Sequence, residues 1–260
     1  MTRATTRGPC PQCDRGARDT ALATTTDERG SVSFCHRCGY TSAQNVVPFH
    51  ATAPRATRSA EPLDWSTRAE SIWRRTQGLR GTLGETYLQH RGCALPPRDS
   101  HLRYLPPDDR HPPTLCAAVT DVCTSKPISL HFTRLAADGR GKAGSGRDKL
   151  LLAGHRKKSG CIRLWPDEAV THGLALAEGI ETALAAAHVF SPVWSTIDAG
   201  NLSHFPLLVG IECLAVFADH DDAGLRAAHE CALRWRAAGR EVRVRTPTLA
   251  GRDAADEVAA

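Results

Sequence analysis

Two pairs of cysteines near the N-terminus restrict the possible folds of this 260-residue chain more than any other feature. Cys10 and Cys13 form one C-x2-C pair, and Cys35 and Cys38 form a second pair after 21 intervening residues. Each pair can present two thiolates to one ion, so the two pairs together complete a tetrahedral sulfur site for Zn²⁺. Residues 1–50 are therefore predicted to form a small β zinc ribbon whose folding depends on the metal.

The ribbon could have a structural or protein-docking role, or it could recognise single-stranded nucleic acid. Several arginines in residues 1–50 favour nucleic acid. Phe34, His36 and Tyr40 are candidates for stacking on bases. The other six cysteines lack ligand spacing, and most of them are expected to be buried apolar side chains. They are Cys93, Cys116, Cys123, Cys161, Cys213 and Cys231.

The chain divides into four segments by composition. The polar residues 51–61 indicate a linker after the ribbon. Residues 62–170 indicate a mixed α+β subdomain rich in basic residues, and the regular pattern of 171–260 indicates an α/β domain. The N-terminus lacks the apolar core of a signal peptide, and no apolar stretch is long enough to span a bilayer. A cytoplasmic protein with no membrane contact is therefore expected.

The C-terminal segment alternates between strands and helices, which is typical of a parallel sheet with flanking helices. The predicted strands are Gly173–Ala177, Val193–Ile197, Glu212–Ala218 and Glu241–Arg245, and the last of them alternates as an edge strand does. The predicted helices are Glu181–Phe190 and Leu225–Ala238. In the second helix, an apolar stripe at helical spacing indicates the buried face. The stripe comprises Leu225, Ala228, Cys231, Ala232 and Trp235.

Acidic residues follow the strands of this segment. Glu178 comes directly after one strand, Asp219 and Asp221 follow another, and Asp253 and Asp256 lie beyond the last. Open parallel sheets bind ligands at the carboxyl ends of their strands. Several carboxylates at one sheet edge repel one another unless a cation neutralises them, and oxygen ligands suit Mg²⁺. Solvated acidic caps, with no bound metal, are the alternative interpretation.

Three segments resemble the motifs of Toprim domains, which are shared by primases, topoisomerases and some nucleases. They are AEGIETA at 177–183, ADHDDAG at 218–224 and GRDAADE at 251–257. The resemblance implies that Asp219 and Asp221 hold Mg²⁺ or Mn²⁺, with help from Asp253 or Asp256. It also implies that Glu178 acts as a base or as a further metal ligand. The trailing acids are three residues apart, so which of them contacts the metal stays open.

Two further segments resemble primases of phages, plasmids and other mobile elements. They are GTLGETYLQHRG at 81–92 and the stretch 149–165 that precedes the Toprim motifs. Together with the ribbon, the resemblance covers nearly the whole chain. It implies a DNA primase that synthesises short primers on single-stranded DNA by metal-dependent nucleotidyl transfer. Single-stranded DNA, nucleoside triphosphates and a separate replicative helicase are the partners that it implies.

The net charge of +5 conceals two regions of opposite sign. Residues 1–171 carry a net charge of +10, and residues 172–260 carry −5. Within 140–163, eight basic residues stand against one acid, interleaved with glycines. Such a segment suits phosphate contacts, although a solvated charged face is also consistent with it. The candidate phosphate-binding residues are Arg147, Lys149, Lys157, Lys158 and Arg163.

Two other functions remain open from the sequence. The same acids could cleave DNA or RNA, as in a Toprim nuclease. Alternatively, the chain could be a non-catalytic replication accessory that binds single strands. Dependence on nucleoside triphosphates separates a primase from a nuclease, and dependence on Mg²⁺ separates either enzyme from a binding module.

Overall fold

The computed structural model of the chain describes residues 4–13, 16, 19–27, 30–38, 40–45 and 64–246. The chain divides into two compact units, Met1–Ser59 and Ala60–Ala260. The predicted linker at 51–61, Asp253 and Asp256 lie outside the described residues. No helix in the described part of the chain is both long and apolar enough to cross a bilayer.

The first unit is a four-stranded antiparallel sheet in the order β1-β2-β3-β4. Its strands are β1 (Ala4–Gly8), β2 (Leu22–Asp27), β3 (Gly30–Cys35) and β4 (Thr41–Asn45). The second cysteine pair begins at the end of β3, where the backbone N–H of Cys35 donates to the carbonyl of Tyr40 at 2.8 Å. This small all-β unit confirms the predicted ribbon fold.

Within residues 64–246, the second unit has a nine-stranded sheet, five helices and one short 3-10 turn. Its strands are β5 (Leu102–Leu105), β6 (Thr114–Asp121), β7 (Pro127–Arg134), β8 (Lys149–Leu151), β9 (Gly160–Arg163), β10 (Gly173–Ala177), β11 (Val193–Ser195), β12 (Cys213–Phe217) and β13 (Glu241–Arg245). Its helices are α1 (Thr67–Arg74), α2 (Leu83–His90), α3 (Ile180–Ala186), α4 (Ala199–Ser203) and α5 (Asp222–Ala237), and the 3-10 turn is Asp167–Ala169.

One end of this sheet is parallel, with the order β13-β12-β10-β11. Strands β10 and β12 pair in register, with Ala177 opposite Phe217. Their carboxyl ends therefore lie at the same edge, and the acids that follow them are brought together. Strand β13 lies at the edge of the sheet, as its alternating pattern predicts. The observed architecture confirms the predicted α/β fold with a parallel sheet and flanking helices.

The other end of the sheet is antiparallel and belongs to the basic middle segment. Strand β9 pairs with both β11 and β6, so it joins the two ends into one continuous sheet. Strands β5 and β7 also pair with β6, and β8 pairs with β7. The basic segment therefore lies on the same sheet as the acidic strand ends, although the two are separate in sequence.

Helices cover both faces of the parallel strands. Helix α3 packs Ala183 and Leu184 into one core, and α5 packs Cys231 and Trp235 into the other. Helix α5 begins at Asp222 rather than at the predicted Leu225, because the Asp221 side chain caps it by accepting a hydrogen bond from the N–H of Gly224 at 2.8 Å. Leu225 was predicted to be buried, but it is 37% exposed.

The prediction that most of the six other cysteines are buried is confirmed. Four of them lie in the interior, namely Cys93, Cys116, Cys161 and Cys231. Cys213 is half-buried, and Cys123 is exposed.

Candidate functional site

The four ribbon cysteines form a compact cluster that fits a zinc site. The Sγ atoms of Cys10 and Cys38 are 3.7 Å apart, and those of Cys13 and Cys35 are 3.8 Å apart. All four sulfurs lie within 4.8 Å of one another. A tetrahedral Zn²⁺ with Zn–S bonds of about 2.3 Å sets its sulfurs about 3.8 Å apart, so the observed spacing matches this metal.

The thiols of this cluster differ in their tendency to ionise. The backbone N–H groups of Cys38 and Arg37 lower the pKa of Cys35 to about 6, although burial opposes them. Hydrogen bonding with Cys38, together with burial, raises the pKa of Cys13 to about 12. Four adjacent sulfurs cannot all carry a negative charge unless a cation neutralises them. The chemistry of the donor set therefore also fits Zn²⁺.

The aromatic candidates of the ribbon are partly available for stacking. Phe34 is 44% exposed, and its ring contacts the exposed His36 edge to face at 5.1 Å. Val32, two residues earlier in β3, is 57% exposed on the same face. Tyr40 is half-buried. The ribbon thus presents a small apolar and aromatic surface formed by Val32, Phe34 and His36.

The acids at the strand ends form the second candidate site. Glu178 follows β10 directly, and Asp219 follows β12 by two residues. Burial raises the pKa of Glu178, and the charges of Asp219 and Asp221 raise it further, to about 7. All three residues lie around Gly224, because its N–H donates to Asp221 at 2.8 Å and a β-carbon on it would lie 3.1 Å from Oε1 of Glu178 and 2.7 Å from the carbonyl oxygen of Asp219. One oxygen of Glu178, Oε1, is buried without a hydrogen-bond partner.

A fourth acid, Asp198, belongs to this cluster and was not predicted. It follows β11, caps α4 by accepting from the N–H of Asn201 at 2.8 Å, and also raises the pKa of Glu178. The residue before it, Ile197, has a φ of 76°, which is unusual for a β-branched side chain. The N–H of Ile197 donates to the carbonyl of Glu178 at 2.9 Å and so ties the two strand ends together.

Position 224 must be glycine because Asp219 and Glu178 lie too close to it to leave room for a side chain. A β-carbon at position 224 would lie 2.7 Å from the carbonyl oxygen of Asp219 and 3.1 Å from Oε1 of Glu178. Any side chain would therefore displace the acids. The glycine of the ADHDDAG segment thus allows α5 to start directly against the site.

The acidic site fits a hard divalent cation in its chemistry. It offers carboxylate oxygens at the carboxyl ends of parallel strands, including the buried Oε1 of Glu178 that has no hydrogen-bond partner. Its oxygens are less tightly grouped than the sulfurs of the ribbon. Among the residues that the structure describes, the four cysteines are the only group of three or more His, Cys, Asp or Glu ligands within 4.8 Å of one another.

A buried ion-pair network lies next to the acidic site. Glu181, on the first turn of α3, is 2% exposed. Its carboxylate pairs with Lys149 at 3.0 Å and with Lys142 at 3.4 Å, and it accepts a hydrogen bond from the hydroxyl of Tyr87 at 2.9 Å. The sequence patterns singled out only Lys149 among these four residues.

The predicted phosphate-binding residues occupy different environments. Lys149 forms an ion pair with Glu181, next to the acidic site. Lys157 forms an ion pair with Asp198 at 2.9 Å. Arg147 and Lys158 are exposed. Of these four residues, only Lys149 and Lys157 are therefore placed beside the acids by direct contacts.

Arg163 differs from these four because it lies inside the protein and is 3% exposed. Its guanidinium donates to Asp167 at 2.6 Å and to the carbonyl of Val122 at 3.0 Å, and it also donates to the hydroxyl of Thr120. It lies over the ring of Trp194, 4.5 Å from the centroid. Its donors are committed to the fold, so we leave Arg163 out of the phosphate-binding set.

One of the missed residues could have been found from the sequence. Asp198 follows an apolar strand, as Glu178 and Asp219 do, so the rule that selected those acids selects it as well. Glu181, Lys142 and Tyr87 have no such signal, because their role depends on contacts between distant segments.

Comparison with known families divides the second unit into two parts. Residues 64–164 match a domain of unknown function (DUF7146). Residues 173–260 match the Toprim domain, so the predicted Toprim domain is confirmed. No curated protein matches the chain.

Two solved bacterial structures are similar to the chain. One is a DNA primase domain from Pseudomonas aeruginosa, with a TM-score of 0.40 and 16% identity, covering 76% of this chain and 59% of that one. The other is the Aquifex aeolicus primase (zinc binding and RNA polymerase domains), with a TM-score of 0.48 and 12% identity, covering 98% of this chain and 75% of that one. The chain therefore spans less than two thirds of the Pseudomonas structure.

Proposed function

We propose that the chain is a DNA primase of a mobile genetic element that performs metal-dependent nucleotidyl transfer on single-stranded DNA. The observation that carries the proposal is the position of Glu178. Its half-buried carboxylate has one oxygen without a hydrogen-bond partner, and it lies beside Asp219 and Asp221 at the carboxyl edge of a Toprim sheet. Lys149 lies beside Gly179, the residue that follows Glu178. Lys157 pairs with Asp198, which follows the neighbouring strand.

In the proposed reaction, the 3′-hydroxyl of one nucleotide attacks the α-phosphorus of a nucleoside triphosphate and releases pyrophosphate. Asp219 and Asp221 would hold Mg²⁺ or Mn²⁺, together with Asp253 or Asp256. When bound, the cation would neutralise charge on the reacting phosphates. Glu178 would accept the proton of the attacking hydroxyl, or serve as a further ligand, and a pKa of about 7 suits a base that works near neutral pH.

Basic side chains would hold the phosphates of the substrates in this reaction. Lys149 and Lys157 lie at the acidic site, and Arg147 and Lys158 extend the positive surface into solvent. Either the triphosphate of the incoming nucleotide or the backbone of the template would bind there. A separate replicative helicase is a further proposed partner, because priming follows the opening of duplex DNA.

The decisive test is primer synthesis on single-stranded templates with labelled ribo- and deoxyribonucleotides. Glu178→Gln and Asp219→Asn should each reduce product by about 10²–10⁴-fold. Glu230→Gln, an exposed acid on α5, is the matched control and should leave the rate unchanged. Equal product from all four proteins, or no product under any condition, would refute the proposal. Strand cleavage that needs no nucleoside triphosphate would instead identify a nuclease.

The ribbon would retain the single-stranded template. Its exposed surface of Val32, Phe34 and His36 suits stacking on unpaired bases. Phe34→Ala should weaken template binding by about 5–150-fold, the loss expected when one base-stacking contact is removed. Zinc content should stay unchanged in this variant. If template binding is also unchanged, the ribbon serves as a structural or protein-docking unit.

A further inference from the structure

Glu181 has an environment that its own helix does not explain. It occupies the first turn of α3, three residues after Glu178, and its side chain is almost completely buried. A buried carboxylate is costly unless charges and hydrogen bonds compensate for the loss of water. Here Lys149, Lys142 and Tyr87 provide that compensation, and all three come from other segments of the chain.

The network keeps Glu181 ionised. Burial raises its pKa, but the charges of Lys149 and Lys142 outweigh burial and lower the pKa to about 2. The neighbouring His131 is neutral at neutral pH, since burial, followed by the charge of Lys149, lowers its pKa to about 4. Glu181 is therefore a fixed negative charge, and its two lysines supply the positive charge around it.

The two lysines remain available to a ligand. The side chain of Lys149 is 42% exposed and that of Lys142 is 38% exposed, whereas that of Glu181 is 3% exposed. Each ammonium group has three N–H donors, so contact with one carboxylate leaves donors free for another partner. The ammonium of Lys149 lies 3.7 Å from the place that a β-carbon on Gly179 would occupy. It is therefore next to the residue that follows Glu178.

Helix α2 contacts both Glu181 and the loop that carries Lys142. Tyr87 is completely buried, and its hydroxyl contacts Glu181 across 94 residues of sequence. The loop that carries Lys142 also rests on α2, since a β-carbon at Gly139 would lie 3.1 Å from the carbonyl of Leu83. Gly139 has a φ of 70°, which favours glycine. One helix thus fixes both the carboxylate and the segment that bears a lysine.

We propose that Glu181 is a positioning residue that holds Lys142 and Lys149 against the phosphates of the incoming nucleotide. This inference rests on the proposed function, because the acidic site defines where those phosphates lie. Glu181 itself touches no substrate. It acts through the two ammonium groups, and Tyr87 fixes its carboxylate.

The first experiment measures the lysines directly, without any catalytic reaction. The chain has only five lysines, at positions 126, 142, 149, 157 and 158. Their acylation rates can therefore each be followed by mass spectrometry in the full-length protein. Glu181→Gln keeps the shape of the side chain and an acceptor for Tyr87 but removes the charge. It should accelerate the acylation of Lys142 and Lys149 several-fold and leave Lys126 and Lys158 unchanged.

Tyr87→Phe is a second variant, which loosens the carboxylate without changing any charge. It should shift the same two rates in the same direction by a smaller factor. Glu230→Gln serves as the matched control and should change none of the five rates. If both Glu181→Gln and Tyr87→Phe leave Lys142 and Lys149 at wild-type rates, or change all five lysines alike, the proposal is wrong.

The second experiment measures primer synthesis over a range of nucleotide concentrations. Glu181→Gln should lower kcat by about 10–100-fold through misplacement of the ammonium groups. The KM for the nucleotide should change little, because no positive charge is lost. Glu181→Asp should recover part of the rate, and Glu181→Gln should have little further effect when Lys142 and Lys149 are both replaced by methionine. Additive losses in that background would contradict a role through the two lysines.

Failure of this inference can be distinguished from failure of the proposed function. If the wild-type chain makes no primers, the acylation rates still decide whether Glu181 holds the lysines. Inorganic tripolyphosphate and ATP with Mg²⁺ should both protect Lys142 and Lys149 from acylation. A lack of protection would refute the phosphate as their ligand, even if Glu181 does position them.

Discussion

The replacement of Arg163 by methionine tests whether this residue stabilises the fold or binds a polynucleotide. Sequence reasoning placed it in the basic segment with Lys149, Lys157 and their neighbours. The structure places its guanidinium in the interior, 3% exposed, with hydrogen bonds that include those to Thr120, Val122, Ser125 and Asp167, and contact with the ring of Trp194. Methionine has a similar length and apolar character but lacks every donor.

The expected loss follows from the groups that would remain. The carbonyl of Val122 accepts from Arg163 at 3.0 Å, and a buried acceptor left without a donor costs about 1–3 kcal/mol. The carbonyl of Asp121 keeps a donor, because it also accepts from the backbone N–H of Ser125 at 2.9 Å. The contact with Trp194 adds about 0.5–2 kcal/mol. The ion pair with Asp167, whose side chain is 46% exposed, adds little. A destabilisation of about 1.5–5 kcal/mol is therefore expected from the lost hydrogen bond and the lost ring contact.

Urea denaturation followed by tryptophan fluorescence measures this loss. In thermal denaturation, Tm should decrease by about 2–4 °C for each kcal/mol of lost unfolding free energy in a unit of this size. Arg147→Met is the matched control, since Arg147 is exposed and its removal should affect DNA binding without affecting stability. The reasoning would be refuted if Arg163→Met unfolded within about 1 kcal/mol of the wild type but lost its affinity for single-stranded DNA.

The remaining predictions concern the metal sites and the acidic loop. Purified protein should carry one zinc per chain, measured by elemental analysis. Cys35→Ser should lose this zinc and, by circular dichroism, the fold of the ribbon, because zinc binding supplies about 10–16 kcal/mol in such units. The control Cys123→Ser should keep both the zinc and the fold. Glu178 has a pKa of about 7 in the folded protein and about 4.5 in the unfolded chain, so between these values only the folded protein keeps the proton. Without Mg²⁺, the free energy of unfolding of the wild type should therefore fall relative to that of Glu178→Gln as pH rises from about 4.5 to above 7. Saturating Mg²⁺ should remove this difference in urea titrations, and a difference that persists would contradict a cation at Glu178. Gly224→Ala should lower the free energy of unfolding by about 1–3 kcal/mol through overpacking, and it should weaken Mg²⁺ binding measured by calorimetry. Gly78 has open space around it, so the control Gly78→Ala should change neither stability nor Mg²⁺ binding.

The fold was predictable wherever local patterns decide it. The alternation of apolar strands and helices predicted the parallel sheet, and strand β13 has the bounds that its alternation indicated. Other element boundaries shifted by a few residues, and at the start of α5 a side-chain cap is the cause. Asp221, for instance, starts α5 three residues before the first residue of the apolar stripe. The exposure of Leu225 has the same cause, since this residue lies in the first turn of the helix.

The acidic site was predictable in part, because strand order in a parallel sheet brings strand ends together. Glu178, Asp219 and Asp221 were identified in this way, and their mutual electrostatic effects are evident in the pKa of Glu178. The conformation of Ile197 was not predictable, because no sequence pattern indicates a left-handed φ at a β-branched residue.

The sequence by itself determined the ribbon, the parallel sheet and the acids at its edge, because each depends on spacing within a short segment. Only the tertiary structure decided what each charge in the basic segment does. Arg163 and Lys149 lie close together in sequence, but one is enclosed by backbone carbonyls and the other lies partly exposed beside a buried glutamate. The physical reason is that the effect of a charge depends on its burial and its partners. Those partners come from strands and helices that are distant along the chain.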